Sequence, residues 1–419
     1  MGHSVGISGA GPAGLAAALL LKRAGHAPVV FERFEQARPV GSGLMMQPTG
    51  LAVLRALGLE AELRAHGQPI AHMFGRAVGS GRVVLDVRYD ALAPGTRALA
   101  VHRSALFGVL YAAAEREGVE IETGFEVAGL ERAACGRPRL VDARGRERGP
   151  FDLVVDASGA RSPLAGLCGS KPPTALDYGA VWATLPWPQG AGFELEALEQ
   201  RYRRADTMVG VLPVGRRWGE AEPVTTFFWS LKPAHYAAWR ERGLDAWKAD
   251  VLQVWPQVAP LLEKIASPDD LVLARYAHHT LARPYAQRLA VIGDAAHATS
   301  PQLGQGCNMA LLDAAALAAG LARHADVGEA LAAYARLRRG HVRLYQTLSR
   351  LFTPFYQSDS RLLPAVRDVL LSPASGLPFA PRVLATLVSG LIGDPLARLD
   401  LEHAPSAATA EGRPLAAAG

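Results

Sequence analysis

The amino-terminal stretch VGISGAGPAGLAAALLLKRAGHAPVVFER constrains the fold more than any other part of the chain. Val5 to Ser8 is short and apolar, as buried strands are, and the alanine- and leucine-rich run from Ala13 to Ala24 predicts a helix. A second apolar strand follows at Val29 to Phe31, and the next residue is Glu32. A strand, a helix and a second strand in this order form a βαβ unit of a parallel sheet.

The turn between the first strand and the helix has the glycine spacing of a dinucleotide-binding site. Gly9, Gly11 and Gly14 form the pattern GxGxxG. The first glycine permits the tight turn, the second lets a pyrophosphate approach the backbone, and the third allows the helix to pack on the strand. Glu32 follows at the distance at which an acidic side chain binds ribose hydroxyls. The alternative, glycines of an ordinary turn, is disfavoured by the flanking strands, helix and acid, so we predict a Rossmann-type domain.

A second glycine-rich turn, VIGDAAHATSPQLGQGCNMALLDA, lies at Val291 to Ala314. It leads from an apolar strand through Gly-Asp, a proline and two further glycines into an alanine-rich helix. The first turn of a helix has unpaired N–H groups and a partial positive charge, so it favours an anionic ligand. We expect both turns to bind opposite ends of one elongated dinucleotide.

Composition indicates a large folded protein with more than one domain. The chain has 419 residues, of which 49% are hydrophobic, and a single core rarely grows to this size. The net charge of +5 is spread along the chain without a dense basic block, which argues against nucleic acid as a partner. The three cysteines, Cys135, Cys168 and Cys307, are widely spaced, which argues against a disulfide framework and against a metal site.

The amino terminus shows no targeting signal. It has no basic region, and its longest apolar run, Ala13 to Leu21, is too short to span a bilayer. We therefore expect a cytoplasmic protein without stable membrane insertion, and we leave a homodimer open as its assembly.

Three further motifs accompany the two glycine-rich turns: GSGLMMQPTG (41–50), HRSALFGVL (102–110) and DLVVDASGARS (152–162). Together and in this order, from Val5 to about Asp313, the five motifs resemble the flavoprotein monooxygenases of the para-hydroxybenzoate hydroxylase and ubiquinone-biosynthesis hydroxylase type. The resemblance implies FAD as cofactor and NADPH or NADH as electron donor. It further implies hydroxylation of an aromatic or phenol-like small molecule with O2, through a C4a-hydroperoxyflavin.

The resemblance also assigns residues to the cofactor. Glu32 would hold the adenosine ribose, Arg103 would lie near the pyrophosphate, and Asp294 would bind the ribityl or pyrophosphate part. The backbone around Gly306 would lie beside the flavin ring, where a helix start favours the negative charge of a reduced flavin. The full set of expected FAD contacts is Gly9, Gly11, Ala13, Gly14, Glu32, Arg33, Arg103, Asp294, Gly304, Gln305 and Gly306.

Three residues are candidates for the substrate side of the reaction. By resemblance, Pro301 would lie at the reactive edge of the flavin, and Gln47 or its neighbour Met45 would reach the pocket from GSGLMMQP. A histidine side chain ordinarily has a pKa near neutrality, so His278 would be able to deprotonate a phenol. His278 and His279 are neighbours on a strand-like run and must face opposite sides, so at most one faces the pocket. A histidine that is hydrogen-bonded within the sheet is the alternative for either.

One departure from the family pattern bears on the electron donor. The middle motif usually contains Asp-Gly, whereas this chain has Ser158 before Gly159 and places an acid earlier, at Asp156. The run DASG is more similar to flavin-dependent halogenases and geranylgeranyl reductases, some relatives of which receive reduced flavin from a partner. We keep NAD(P)H as the expected donor. The alternatives are a flavin-dependent reductase or oxidase, or a two-component monooxygenase that uses externally supplied reduced flavin.

The expected architecture is α/β, with a Rossmann-type FAD-binding domain interleaved with an antiparallel-sheet substrate domain and followed by C-terminal helices. Short β-branched and aromatic segments between the nucleotide motifs predict the second sheet. Along it Phe227 and Trp229 share one face and Phe228 lies on the other. The predicted parts are 1–70, 98–175 and 280–350 for FAD, 71–97 and 176–279 for substrate, 351–403 for the C-terminal helices, and 404–419 as a disordered tail.

Overall fold

A computed structural model of the chain describes residues 2–36, 41–371 and 377–403. Its strands are β1 (Ser4–Ser8), β2 (Ala27–Phe31), β3 (Gly43–Met46), β4 (Gln68–Ile70), β5 (His72–Ala77), β6 (Val83–Arg88), β7 (Ala98–His102), β8 (Glu120–Glu122), β9 (Val127–Arg132), β10 (Pro138–Asp142), β11 (Glu147–Arg148), β12 (Leu153–Asp156), β13 (Thr174–Ala175), β14 (Gly179–Pro186), β15 (Ala197–Arg203), β16 (Thr207–Arg216), β17 (Pro223–Leu231), β18 (Val272–Ala274), β19 (Ala277–His278), β20 (Tyr285–Ala286) and β21 (Leu289–Val291).

The helices lie between and after these strands. They are α1 (Pro12–Arg23), α2 (Pro48–Ala56), α3 (Glu60–His66), α4 (Arg103–Arg116), α5 (Tyr236–Arg242), α6 (Leu244–Val254), α7 (Ala259–Leu262), α8 (Asp294–His297), α9 (Gly306–Arg323), α10 (Val327–Tyr356), α11 (Leu362–Val366) and α12 (Ala380–Val388). Short 3-10 or π turns lie at Tyr89–Ala91, Ala165–Cys168, Pro233–His235, Pro256–Val258, Pro268–Asp270, Pro301–Leu303, Arg367–Leu371 and Ala397–Leu399. Within the described residues, none of the helices combines the length and the apolar character needed to cross a bilayer.

A six-stranded sheet in the order β20-β21-β12-β1-β2-β8 contains the predicted βαβ unit. β1 pairs in parallel with β2 on one side and with β12 on the other. Helices α1, α4 and α9 cover one face of this sheet, and apolar side chains from the region of β9 and β10 cover the other. Because both faces are buried, the central strands are apolar throughout, as parallel strands generally are. The carboxyl ends of β1, β2, β12 and β21 meet at one edge.

The second large sheet has seven strands in the order β18-β14-β17-β16-β15-β5-β6. Its pairings are antiparallel, as predicted, except that β15 and β5 run in parallel. One face packs against helices α5 to α7, where Phe227 and Trp229 lie against Trp247. The other face carries Phe228 and shares a buried cluster with Met45. Phe228 therefore lies on the side of the sheet that faces strand β3.

Helices α9 and α10 join the two parts of the molecule. α9 packs along α1, and the 30-residue α10 runs antiparallel to α9. The C-terminal helix α12 packs against α10. The predicted tail at 404–419 lies outside the described residues. The domain boundaries that we expect from the sequence stay a prediction.

Candidate active site

The first glycine-rich turn leaves the amino terminus of α1 open to a ligand. Pro12 begins the helix, and the preceding Gly11 provides no side-chain cap. The first backbone N–H groups of the helix therefore stay available to donate to a ligand. A Cβ atom on Gly11 would meet nothing within 4 Å, whereas one on Gly14 would lie 1.9 Å from the Gly9 carbonyl oxygen. The third glycine is thus required for packing, and the second faces open space that a pyrophosphate can enter.

Glu32 is fixed beside this turn. It follows β2 directly, is 9% exposed, and accepts hydrogen bonds from the backbone N–H groups of Ala10 at 3.0 Å and Phe34 at 3.1 Å. A carboxylate has more lone pairs than these two donors use, so it can still accept from ribose hydroxyls. Its neighbour Arg33 is exposed, and its guanidinium lies over the Phe34 ring at 4.7 Å.

The second turn meets the first one directly. A Cβ atom on Gly293 would lie 3.3 Å from the Cβ of Ala13 and 3.2 Å from that of Ala310. The Gly-Asp turn is therefore packed between the start of α1 and the first turns of α9. Asp294 begins α8 and is exposed, and its Oδ1 lies 3.8 Å from the position of a Cβ on Gly306. The two motifs, separated by most of the chain, form one continuous edge.

Arg103 closes this edge from a third direction. It is the first residue of α4, and its side chain lies across Gly41, where a Cβ would be 2.7 Å from the Arg103 Cδ. Burial raises the pKa of the Cys307 thiol to about 12, while the charges of Arg103 and Asp294 act on it in opposite directions. Both charges therefore act at the first turn of α9. The raised pKa gives Cys307 no nucleophilic character, in line with a packing role.

Asn308 ties the loop at residues 300–305, which we call the flavin-side loop after its predicted role, to strand β3. Its Oδ1 accepts from the Gln47 backbone N–H at 2.8 Å, and its Nδ2 donates to the carbonyls of Met45 at 3.0 Å and Gly304 at 2.9 Å. Asn308 is fully buried. Sequence reasoning did not single it out, although it stands inside the quoted run GQGCN.

Gln47 offers a buried donor next to Gly304. Its Oε1 accepts from the Tyr89 hydroxyl at 2.9 Å, whereas its Nε2 has no hydrogen-bond partner among the described residues. That Nε2 lies 3.4 Å from the position of a Cβ on Gly304. A buried unpaired donor is costly, so a ligand acceptor at this place would satisfy it. Tyr89 was not identified from the sequence, because nothing local marks it.

Pro301 and Gln305 take different positions on the same loop. Pro301 opens a 3-10 turn and is exposed, and Ser300 before it is anchored to Thr353 on α10 by a 2.7 Å hydrogen bond. Gln305 is 1% exposed, and its Nε2 donates to the Val388 carbonyl. The Gln305 side chain therefore points into the protein, and its backbone is what it can offer to a cofactor together with Gly304 and Gly306.

His278 is the last residue of β19. It is buried, its Nδ1 has no partner among the described residues, and burial lowers its pKa. His279 points elsewhere, with Ser170 at 3.4 Å, which agrees with the expected opposite orientation of the pair. A catalytic role of His278 stays a prediction.

A polar pair lies on the sheet face that carries Phe228. Trp182 packs on the Phe228 ring with 4.7 Å between centroids, and its indole N–H donates to the Tyr276 hydroxyl at 2.9 Å. Burial raises the pKa of Tyr276, and the charge of Arg103 opposes that shift. The charge of Arg103 therefore acts at the Tyr276 hydroxyl. It stands in the quoted run LVLARYAHHT, but its type and spacing alone did not identify it.

The unusual middle motif forms a closed hydrogen-bond cluster. Asp156 is fully buried at the end of β12 and accepts from the Ser158 backbone N–H at 3.1 Å, from its hydroxyl at 2.5 Å and from the Ser162 hydroxyl. Burial raises the pKa of Asp156 against these hydrogen bonds. The Ala157 carbonyl oxygen would be 2.7 Å from a Cβ on Gly9, so the cluster holds a loop against the first glycine turn.

The geometry fits an extended dinucleotide. An acid for ribose, an open helix start for pyrophosphate, and a second helix start beside Gly304 lie along one edge in the order that FAD requires. The described residues contain no group of three His, Cys, Asp or Glu side chains placed to hold a metal ion.

Comparisons with known proteins find similar FAD-dependent monooxygenases. The putative FAD-dependent monooxygenase YetM of Bacillus subtilis is 28% identical over 354 residues, which cover 82% of this chain and 91% of YetM. Kynurenine 3-monooxygenase of Salinispora arenicola is 30% identical, with 82% of this chain and 78% of that enzyme covered.

The fold has a solved counterpart. The crystal structure of Klebsiella pneumoniae HpxO with FAD and uric acid superposes with a TM-score of 0.77 at 22% identity and covers 93% of this chain and 98% of HpxO. A family model described as FAD binding domain matches residues 3–347. The chain therefore belongs to the FAD binding domain family and is an FAD-dependent oxidoreductase of the flavoprotein monooxygenase type.

Proposed function

We propose that this protein hydroxylates an aromatic or phenol-like small molecule, using O2 and electrons from NADPH or NADH. The observation that carries the proposal is the direct contact of the two glycine-rich turns at Ala13 and Gly293. Bound FAD supplies the reduction of O2 and the transfer of one oxygen atom to the substrate. The names of the similar proteins, which include a kynurenine monooxygenase and a structure with bound uric acid, support an aromatic substrate.

Different residues of this chain would bind different parts of the cofactor. Glu32 would accept from the adenosine ribose, the open start of α1 would bind the pyrophosphate, and Arg103 and Asp294 would flank its flavin end. The backbone N–H groups of Gly304 to Gly306 would face the ring, where the positive end of α9 favours negative charge.

The substrate would lie between the flavin-side loop and the sheet face that carries Phe228. Trp182 and Phe228 offer aromatic surface, and the Tyr276 hydroxyl and the Gln47 amide offer neutral polar contacts. Pro301 would lie at the reacting edge, and His278 would act on a phenolic proton. Gln47 is oriented by Tyr89, so Tyr89→Phe should raise KM or lower coupling to product while leaving FAD binding intact.

Product analysis separates the proposal from a reductase or oxidase. A panel of phenols and heteroaromatic compounds is incubated with the FAD-loaded protein, NAD(P)H and ¹⁸O2, and the products are analysed by mass spectrometry. Incorporation of one ¹⁸O atom per consumed nicotinamide supports hydroxylation. Nicotinamide oxidation that yields only hydrogen peroxide with every compound in the panel contradicts it.

The electron donor needs its own test, because Ser158 stands where the family has an acid. Anaerobic rapid mixing with NADH or NADPH, with and without substrate, follows the bleaching of the visible flavin absorption. Bleaching with either nicotinamide supports a single-component enzyme. The competing two-component function is favoured if neither nicotinamide reduces the flavin but chemically reduced flavin sustains product formation.

We further propose a cytoplasmic homodimer. Cys135, Cys168 and Cys307 are all free thiols, which suits a reducing compartment. Light scattering on the FAD-loaded protein measures the assembly directly, and a monomer or a tetramer would contradict the dimer. Fractionation of the native cell, followed by immunodetection, tests the compartment.

A further inference from the structure

The carboxyl end of α12 is bound by an unusual set of side chains. Four consecutive backbone carbonyls, at residues 387 to 390, each accept a hydrogen bond from a side chain of another element. The pairs are Tyr345 Oη to Leu387 at 2.8 Å, Gln305 Nε2 to Val388 at 2.5 Å, Thr49 Oγ1 to Ser389 at 3.2 Å and His341 Nε2 to Gly390 at 2.8 Å. We call these four carbonyls and their four donors the carbonyl clasp.

Helix ends leave their last carbonyls without intrahelical partners, and water usually satisfies them at a surface. Here water does not have access, because Val388 is 6% exposed and Ser389 is fully buried. The protein must therefore supply the donors itself. Each donor comes from a position remote in sequence, so the clasp forms only when the C-terminal segment is docked.

Two of the donors belong to the cofactor site. Gln305 is the residue between Gly304 and Gly306 and immediately precedes α9. Thr49 stands in the first turn of α2, two residues after Gln47. The side chains of Gln305 and Thr49 point away from the ligand edge. Through them the clasp holds both segments that border Gly304.

The other two donors lead to the Gly-Asp turn. His341 and Tyr345 lie one turn apart on α10, and His341 Nδ1 is 3.2 Å from the Arg338 guanidinium. Arg338 pairs with Asp313, which accepts from the Gly293 backbone N–H. The second glycine-rich turn is therefore held at both of its ends. Gly293 is connected to α10 through Asp313 and Arg338. Gln305 is connected to α12 through Val388.

Gly390 is the tightest point of the clasp. Its φ is +80°, and a Cβ at this position would lie 2.7 Å from both the Gln305 Oε1 and the Thr49 Oγ1. Gly393 has nearly the same φ, +81°, but a Cβ there would meet nothing within 4 Å. An alanine at either position would strain the backbone to a similar degree, because both have positive φ. Only at Gly390 would its side chain also displace members of the clasp.

We infer that the carbonyl clasp is a positioning device for the flavin, and that Gln305 and Gly390 are positioning residues whose contact fixes the backbone of Gly304 to Gly306. The inference rests on the flavin position used in the proposed function and adds that the C-terminal helix controls it. Because the donors of a helix start stabilise negative charge on the reduced ring, a displaced loop should change the flavin potential as well as FAD affinity.

The first test compares Gly390→Ala with Gly393→Ala in the full-length protein. FAD affinity is measured by flavin fluorescence, and the midpoint potential and visible spectrum are measured at saturating FAD. We expect Gly390→Ala to raise the Kd for FAD about tenfold and to shift the potential and the spectrum, while Gly393→Ala keeps wild-type values. Equal values for both variants would overturn the inference.

A milder pair guards against misfolding of Gly390→Ala. Gln305→Met removes the donor to Val388 at similar length, and Gln253→Met is its control, because Gln253 is an exposed residue of α6 on the far side of the second sheet. We expect only Gln305→Met to weaken FAD binding and shift the potential. Lower thermal stability of Gln305→Met with an unchanged Kd and potential would show a purely structural role and refute the clasp. Failure of the wild-type protein to hydroxylate any compound would contradict the proposed function and leave these affinity and potential readouts intact.

Discussion

Asp313 and Arg338 form an ion pair in the interior of the protein, with 2.7 Å between Oδ1 and Nε and exposures of 0% and 2%. The second carboxylate oxygen of Asp313 accepts from the Gly293 backbone N–H at 2.9 Å and pairs with His297 Nε2. Burial opposes ionisation of Asp313, but the charges and hydrogen bonds of His297 and Arg338 hold its pKa at about 2. One carboxylate therefore connects α10 to the turn that carries Asp294.

Asp313→Asn should be strongly destabilising, because it leaves the Arg338 guanidinium buried without its counter-charge. We expect a loss of about 3–5 kcal/mol in the free energy of unfolding. Urea unfolding at a fixed excess of FAD measures the loss, since bound ligand also contributes to stability. Asp250→Asn is the control: Asp250 pairs with the exposed Arg242 at 2.8 Å, and such surface pairs contribute at most about 1 kcal/mol. Equal losses for the two variants would contradict a special role of the buried pair.

His341 should make the protein sensitive to acid. Burial, followed by the charge of Arg338, lowers the pKa of His341 from 6.5 to about 3, while Asp313 acts in the opposite direction. The unfolded chain therefore binds a proton below pH 6.5 that the folded protein does not. This contribution to stability is complete above pH 6.5 and is lost as the pH falls towards 3, with a slope of up to about 1.4 kcal/mol per pH unit.

His341→Gln keeps a side-chain donor for Gly390 and removes the titration. The melting temperature of this variant should fall less than that of the wild type between about pH 7 and about pH 4.5. Some loss should remain, since burial and the charge of Arg217 also lower the pKa of His102 to about 4. His235→Gln, at an exposed position, should follow the wild-type curve. Parallel curves for all three proteins would rule out His341 as a source of the acid sensitivity.

The nucleotide-binding elements were accessible from the sequence, because each depends on a local pattern. The spacing of Gly9, Gly11 and Gly14 between an apolar strand and helix, and the acid after β2, are features of neighbouring residues. The meeting of the two turns followed from chemistry, since both bind anions and one dinucleotide has two ends to fill.

The rest of the site depends on contacts that no local pattern encodes. Asn308 binds the backbone of Gln47 across 261 positions, and Gln305 reaches Val388 across 83. The sequence also did not show which face of the second sheet points towards the site, because Phe227 and Phe228 are the same residue type. Phe227 faces away from the site because it packs against the tryptophans of α5 and α6. Such partners emerge from tertiary packing alone.

Ser158 should not tolerate replacement by an acidic side chain. Ser158→Ala removes one hydrogen bond to Asp156 and should cost about 1 kcal/mol. Ser158→Asp removes the same bond and also adds a like charge beside a buried carboxylate, so its loss should be larger. Urea unfolding of both variants at neutral pH measures the difference. A smaller loss for Ser158→Asp than for Ser158→Ala would contradict the proximity of the two carboxylates.

The pH dependence gives that prediction a direction. Burial already raises the pKa of Asp156 above 3.8, and a second carboxylate should raise it further. A group whose pKa is raised on folding stabilises the folded state at pH values below its pKa in the unfolded chain. This stabilisation is lost as the pH rises through its pKa in the folded protein. Relative to the wild type, Ser158→Asp should therefore regain stability when the pH falls from about 8 to about 5.

Glu32→Gln should weaken FAD binding without unfolding the turn. Glutamine keeps one oxygen that can accept from Ala10 N–H, but its amide nitrogen cannot accept from Phe34 N–H, and it loses the charge that strengthens a hydrogen bond from a ribose hydroxyl. The Kd for FAD should therefore rise about 10- to 100-fold. Glu35→Gln is the matched control, because Glu35 is an exposed acid three residues away. Fluorescence titration of the apoproteins with FAD measures both, and an unchanged Kd for Glu32→Gln would place the adenosine end of the cofactor elsewhere.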